Sequence, residues 1–241
     1  MNTYEEKFKK EKIDARPVCI IPARMGSKRL KNKNKLRLGG KSLVEHAILT
    51  ALESKLFQVI VVSSDDEEIL EIAYNHFNHG LVQPSKRPER MSADDILVRE
   101  VCLHALICYR TQATEFCLLQ PNSPFRTARD LQKAYKAFRK SGANYLITVK
   151  PYKEPPQLAL KIEDGFLTPN WGHESIKQSQ DLEQLYYEDG AITFAKINVF
   201  SSELKLNFHG ANCMPYILPH PTMEIHTKKD LKKARELWKR S

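Results

Sequence analysis

Four short apolar runs, separated by helical patterns, constrain the fold of this chain more than any other feature. Val18-Cys19-Ile20-Ile21 is the first, and the β-branched run from Val59 to Val62 is the second. Phe116 to Leu119 and Tyr145 to Val149 complete the set. Apolar runs without alternation mark strands covered on both faces. Between them, Val44, Ala47, Ile48, Ala51 and Leu52 fall on one helical face, as do Ile69, Ile72 and Ala73. Val98, Cys102, Ala105 and Leu106 predict a further helix, and Leu131, Ala134, Tyr135 and Phe138 the one after it. Strand and helix in alternation predict an α/β fold: a doubly wound, mostly parallel sheet with helices on both faces.

Local signals agree with that pattern. Ser42, Ser64, Thr127 and Thr227 are each followed three positions later by an acid, namely Glu45, Glu67, Asp130 and Asp230. Each pair predicts a capping box at a helix start. Ser141-Gly142 predicts a helix stop before the fourth strand. From Pro151 the character changes. Pro155-Pro156 breaks any helix, and Leu158 to Ile162 with Phe166-Leu167 around Asp164-Gly165 predicts a hairpin. Residues 151–206 read as an insertion that leaves the doubly wound core. The chain then returns from Leu218 with a last strand and a closing helix on Leu231, Ala234, Leu237 and Trp238. Residues 1–16 read as a charged tail, and 17–241 as one domain with the 151–206 excursion.

Composition removes several function classes. The 241 residues hold no apolar run of about 18, so no transmembrane helix and no membrane role are expected. The first sixteen residues lack the apolar centre of a secretory signal. The five cysteines are scattered without a CxxC, and are expected to be buried free thiols in a reducing compartment, hence a cytoplasmic protein. The net charge of +9 raises nucleic-acid binding. The basic residues gather in the tail, one loop and the last helix, with no aromatic RNA-binding signature among them. A small polyanion explains the loop as well, so no nucleic-acid partner is expected.

That loop follows the first strand. In IPARMGSKRLKNKN, Ile21 to Asn34, Gly26 and Ser27 form a tight turn, and six basic residues lie between Lys28 and Arg37 with no acid among them. A strand feeding a small-residue basic loop is how α/β enzymes hold a polyphosphate, with backbone N–H groups and cations converging at the strand's carboxyl end. The spacing matches neither a Walker A loop nor GxGxxG. Phosphate binding and a solvated basic loop are both open on the residues alone.

Five ordered motifs carry a resemblance. IPAR-x-G-S-K spans Ile21 to Lys28, with Lys33-Asn34 after it. Ser63 to Ile69 reads SSDDEEI, and Arg87 to Met91 reads RPERM, followed by the helix with His104-Ala105-Leu106. LLQPNSPFRT runs from Leu118 to Thr127, and Gln180-Asp181-Leu182 precedes Gly190-Ala191-Ile192. Together they resemble the acylneuraminate cytidylyltransferases, which activate sialic-type (nonulosonic) acids as CMP conjugates. The resemblance implies a Rossmann-like nucleotide-diphosphosugar transferase fold. It also implies CTP and an acidic sugar as substrates, Mg2+ or Mn2+ as cofactor, and a homodimer built on the 151–206 region. It assigns catalysis to Arg24, Lys33, Glu224 and His226. Substrate binding falls to Ser27, Lys28, Asn34, Arg87, Gln120, Ser123 and Gln180, and metal binding to Glu224 and His226. Tyr186 and Tyr187 are implied at the dimer interface. Arg126 matches a family arginine or is a helix-start surface residue. Other acidic acceptors, Kdo-like or phosphonate, fit the same pattern.

The chain departs from the family at its most chemical position. The family ends its last strand with two aspartates one residue apart, and here that stretch is Met223-Glu224-Ile225-His226-Thr227. Imidazole is a poor magnesium ligand and suits manganese, zinc or a general base better. Strand alternation predicts Glu224 and His226 on one side. His226 is either part of a shared site or a packing residue before the Thr227 cap. If the pair fails, the chain is a nucleotide binder with degraded catalysis. Two specificity positions also differ. Val98 stands for a family serine near the base, and Ser179 for a basic residue, with Lys177 close by. Asp65 and Asp66 are expected to cap a helix rather than hold metal, and His104 to pack.

Overall fold

The computed structural model describes residues 16–76, 80–93, 95–109, 112–172, 178–203 and 208–239. Nearly all of the expected N-terminal tail, and Lys177, lie outside them. The first strand, β1 (Val18–Pro22), is buried along its first four residues. Its side chains divide by parity, as a strand requires. Cys19 and Ile21 face one core, and Val18 and Ile20 face the other.

A two-residue ribbon of β2 (Arg37–Leu38) and β3 (Lys41–Ser42) leads into helix α1 (Leu43–Ser54) and strand β4 (Val59–Ser64). Helix α2 (Glu67–Asn75), strand β5 (Val82–Lys86), helix α3 (Val98–Tyr109) and strand β6 (Glu115–Leu118) follow. Next come helix α4 (Ala128–Ser141), strand β7 (Tyr145–Pro151) and the hairpin β8 (Leu160–Glu163) and β9 (Phe166–Pro169). The chain closes with β10 (Tyr186–Lys196), α5 (Ile197–Ser202), β11 (Cys213–Tyr216) and α6 (Lys228–Trp238). The main sheet has the order β11-β7-β10-β6-β1-β4-β5. Helices α1, α2 and α4 cover one face, and α3 and α5 the other. Among the described residues no helix is long and apolar enough to cross a membrane.

Strand β1 pairs in parallel with β4 on one side and β6 on the other. Connections leaving β1 therefore run in opposite directions, and a crevice opens at the carboxyl ends of β1 and β6. Open α/β sheets bind ligands at such a switch point.

Several sequence expectations are corrected. Residues 151–206 do not form one excursion, because β10 lies inside the sheet, antiparallel to both β6 and β7. Its GAITF core is as buried as the parallel strands, so apolar content put it inside. No strand spans Met223–His226. The edge strand is β11, and the Glu224 segment is an extended stretch tied down by Ile225 N–H donating to Asn122 O at 2.8 Å. Capping boxes form at Ser42, Thr127 and Thr227 but not at Ser64. Helix α2 is capped by Asp66 instead, because the Ser64 hydroxyl is spent on the carbonyl of Ala23 at 2.6 Å. Cys108 is exposed rather than buried, on the outer face of α3.

Strand β10 breaks register between Glu188 and Thr193. Gly190 sits there with φ +63°, and a Cβ at that position would lie 2.3 Å from Glu224 Oε1. A left-handed residue costs an L side chain about 1–2 kcal/mol. Gly142→Ala, at φ +70° with open space around it, is expected to cost that much. Gly190→Ala is expected to cost more, because the new methyl also displaces Glu224. Thermal unfolding of the two variants side by side checks this.

Asp130 provides a second test. It caps α4 by accepting from Thr127 N–H and hydroxyl, and it meets His220 Nε2 at 2.7 Å. Burial alone would raise its pKa, but the Thr127 hydrogen bonds and His220 outweigh burial and lower it. A depressed carboxylate pKa gives stability that is present above the unfolded value of about 3.9 and lost as pH falls through the folded value. Asp130→Ala is expected to cost about 1–2 kcal/mol at neutral pH. Its deficit relative to the parent should shrink below about pH 4.

Candidate active site

The basic loop after β1 is anchored before it is charged. Ala23 N–H donates to Ser63 O at 2.9 Å, and Met25 N–H donates to Asp65 Oδ1 at 2.8 Å. The Asn34 amide donates to Arg24 O at 2.9 Å and closes the loop on itself. Lys35 pairs with Asp66 at 2.8 Å and with Glu68 at 3.0 Å. Asp66 caps the helix as expected, whereas Asp65 does not cap it and anchors the loop instead. Asn34 is buried and has a structural bond as well as a place on the cleft wall.

The loop forms one wall of a cleft of about 520 Å³. Arg24, Ser27, Lys28, Arg29, Lys33 and Asn34 supply that wall. Arg87 enters from the end of β5, and Gln120 with Asn122 from the end of β6. His226 comes from the segment before α6, while Val98 and Val101 give an apolar side. The sequence positions are far apart, but the switch point brings them to one place.

Arg87 is buried, with Nη2 donating to Ser63 O at 3.0 Å and Nε to Ser63 Oγ at 3.3 Å. Burial lowers its pKa, Asp65 and Cys102 oppose, and Arg24 adds to the lowering. Lys33 is also shifted down, first by burial and then by Arg29 and Arg24, with Glu224 opposing. Like charges crowded into a half-buried wall are relieved by an anion. Arg24, Lys33 and Asn34 of the loop are not fully solvated but half-buried or buried on the cleft wall.

Two expected substrate residues lie elsewhere. Ser123 is buried beneath the β6 turn and does not line the cleft. Gln180 is exposed on a short turn, bonded to Gln178 at 2.7 Å, and lines none of the cavities described here. Arg126 is no surface residue. It is buried and holds the Gln120 turn through Nη1 to Gln120 O at 2.7 Å and Ser123 O at 3.0 Å. Burial pushes its pKa down to about 10.

Glu224 borders the cleft through an adjoining cavity of about 240 Å³ that also touches Gln120, His226, Glu188 and Phe208. Asn122 Nδ2 donates to Glu224 Oε1 at 3.1 Å, and His226 Nε2 lies 3.2 Å from Glu224 Oε2. Arg29 Nη2 lies 3.3 Å from His226 Nδ1. Glu224 and His226 do face one another, although no strand carries them. Among the described residues no three His, Cys, Asp or Glu side chains gather closely enough to hold a metal ion. Magnesium at nucleotide sites takes one or two carboxylates and completes its shell with phosphate oxygens and water. Glu224, facing a cleft built for phosphate, fits that demand as one hard-oxygen ligand.

Sequence reasoning missed Arg29, Asn122 and Glu188. Arg29 was one cation among six. Asn122 occupied the variable position of LLQP-x-SP, and Glu188 preceded the recognised GAI. Only the fold brings these residues to Glu224.

Comparison with known proteins agrees with this geometry. A cytidylyltransferase family model matches residues 18–199. A pseudaminic acid cytidylyltransferase of Campylobacter jejuni (serotype O:2) is 30% identical over 227 residues, covering 92% of this chain and 96% of that one. An N-acylneuraminate cytidylyltransferase of Escherichia coli O18:K1:H7 is 30% identical over 219 residues, covering 90% of this chain and 51% of that longer one. Among solved structures, CMP:2-keto-3-deoxy-manno-octonic acid synthetase complexed with CTP superposes with TM-score 0.70 at 17% identity, covering 93% and 99% of the two chains. The chain belongs to the cytidylyltransferase family, whose members include the pseudaminic acid and N-acylneuraminate cytidylyltransferases.

Proposed function

We propose that this enzyme transfers CMP from CTP to the anomeric hydroxyl of a nonulosonic acid. The observation that carries the reading is the convergence of Arg24, Lys28, Arg29 and Lys33 with Arg87 and Gln120 on one cleft at the switch point. The relatives named above give the acceptor class. The hydroxyl oxygen attacks the α-phosphorus, the bond to the bridging oxygen breaks, pyrophosphate leaves, and the hydroxyl proton passes to water. Arg24 and Lys33 offset charge on the triphosphate, and the preset wall spares reorganisation at the moment of reaction. Arg87 and Gln120 bound the nucleoside end. Glu224 stands where the nucleotide cleft meets the 240 Å³ cavity, so the acceptor hydroxyl enters beside it. Glu224 would also hold Mg2+, or Mn2+ in its place, which when bound adds positive charge against the phosphates.

A homodimer is part of the proposal. Ile162, Phe166 and Leu167 on the β8–β9 hairpin, with Tyr186 and Tyr187, leave large apolar surface exposed. Exposed apolar side chains of this size are candidates for an interface. The reading places the enzyme in the cytoplasm, where CTP is made.

Pyrophosphate release with CTP, either metal and a panel of nonulosonic acids plus Kdo is the direct test. Acceptor-dependent release with CTP and not ATP is expected. CTP binding without release for any acceptor would indicate a degraded site. Arg24→Ala and Lys33→Ala are each expected to weaken CTP binding by about 1.5–3 kcal/mol, or roughly 10- to 100-fold, read by calorimetry. Light scattering should give twice the 27.8 kDa subunit mass, and a monomer would remove the dimer from the proposal.

A further inference from the structure

Glu224 is restrained on each of its carboxylate oxygens. Asn122 Nδ2 donates to Oε1 at 3.1 Å, and His226 Nε2 sits 3.2 Å from Oε2. Beneath them the chain at Gly190 comes so close that a Cβ would reach within 2.3 Å of Oε1. The far side of the imidazole faces the phosphate loop, with Arg29 Nη2 3.3 Å from Nδ1. A guanidinium has donors only, so Nδ1 must accept, while Nε2 faces the Glu224 oxygen at 3.2 Å and, farther off, the Asn122 amide nitrogen at 3.5 Å. The proton of the neutral ring is then on Nε2, which donates to Glu224. For Nε2 to bind a metal its proton would have to leave, and the ring's remaining proton would have to sit on Nδ1 against the Arg29 donor.

We propose that His226 is a positioning residue rather than a metal ligand: Arg29 fixes its tautomer, and with Asn122 it orients Glu224, the carboxylate that His226 and Asn122 both contact at the cleft junction. The chain Arg29–His226–Glu224 also links the phosphate wall to the acceptor side, so the residue that meets the triphosphate and the residue beside the acceptor hydroxyl share one hydrogen-bonded path. Outer partners of this kind orient ligands and are worth about 10- to 100-fold in activity or metal affinity. The proposal rests on the nucleotidyl-transfer reading for its consequence, but not for the tautomer.

Nitrogen NMR of the His226 ring in the ligand-free protein tests the tautomer directly. A proton on Nε2, with Nδ1 in the accepting state, is expected. A proton on Nδ1 overturns the clamp, whatever the enzyme does. The second arm uses Mn2+ with a non-hydrolysable CTP analogue and pulsed electron paramagnetic resonance. No coupling to a directly bound imidazole nitrogen is expected, and observing one overturns the proposal. For turnover, His226→Ala should lower kcat about 10- to 100-fold with KM for CTP little changed. His226→Gln, whose amide N–H can reach the same oxygen, should return kcat to within about fivefold of the parent. Equal losses in the two variants would overturn the donor role. If no Mn2+ signal and no turnover are found, the nucleotidyl-transfer reading fails, and the ring tautomer still decides the clamp.

Discussion

The hydrogen-bonded junction between the ends of β1 and β4 is what the rest of the site depends on. Six cations in ten residues repel one another, and such a loop left to itself would splay into solvent. Ala23 N–H to Ser63 O and Ser64 Oγ to Ala23 O hold its first residue to the neighbouring strand. Asp65 takes the next free backbone N–H, and Asp66 and Glu68 neutralise Lys35. The acidic start of α2 therefore does two things at once. It caps a helix, and it removes one cation, Lys35, from the repulsion, while Arg24, Lys28, Arg29 and Lys33 line the cleft.

Charge in the site is graded. One wall is cationic, and the opposite end, where β10 bulges, carries Glu188 and Glu224. Burial raises the pKa of Glu188, Glu224 and Asp189 add to the rise, and His209, 3.4 Å away, opposes it. The two ends of the site therefore differ in sign, a cationic wall facing a carboxylate end. Lys150, Lys153 and Lys233 line a further cavity of about 800 Å³ that Glu224 also borders.

Much of the fold was legible because its signals are local. Ile60 to Val62 is buried on both faces and reads so from composition, and Thr127 with Asp130 forms the box its spacing predicts. The misreadings arose where a residue had two partners to choose from. Ser64 matched a capping box, but its hydroxyl went to Ala23, across 41 residues. The segment from Tyr186 to Lys196 was assigned to an excursion, since nothing local says that β10 slots between β6 and β7.

The order of strands and helices, the basic loop and the capping residues were determined by the sequence itself, since propensity, periodicity and short-range hydrogen bonds act over a few residues. What Glu224 can do was decided only by tertiary structure. Its partners Asn122, Gly190, His226 and Arg29 span 198 sequence positions, taking Arg29 to His226 inclusive. Their meeting depends on strand order and on a register break in β10. Hydrogen-bond direction at His226 follows from which group faces each ring nitrogen, and no spacing in the chain encodes that.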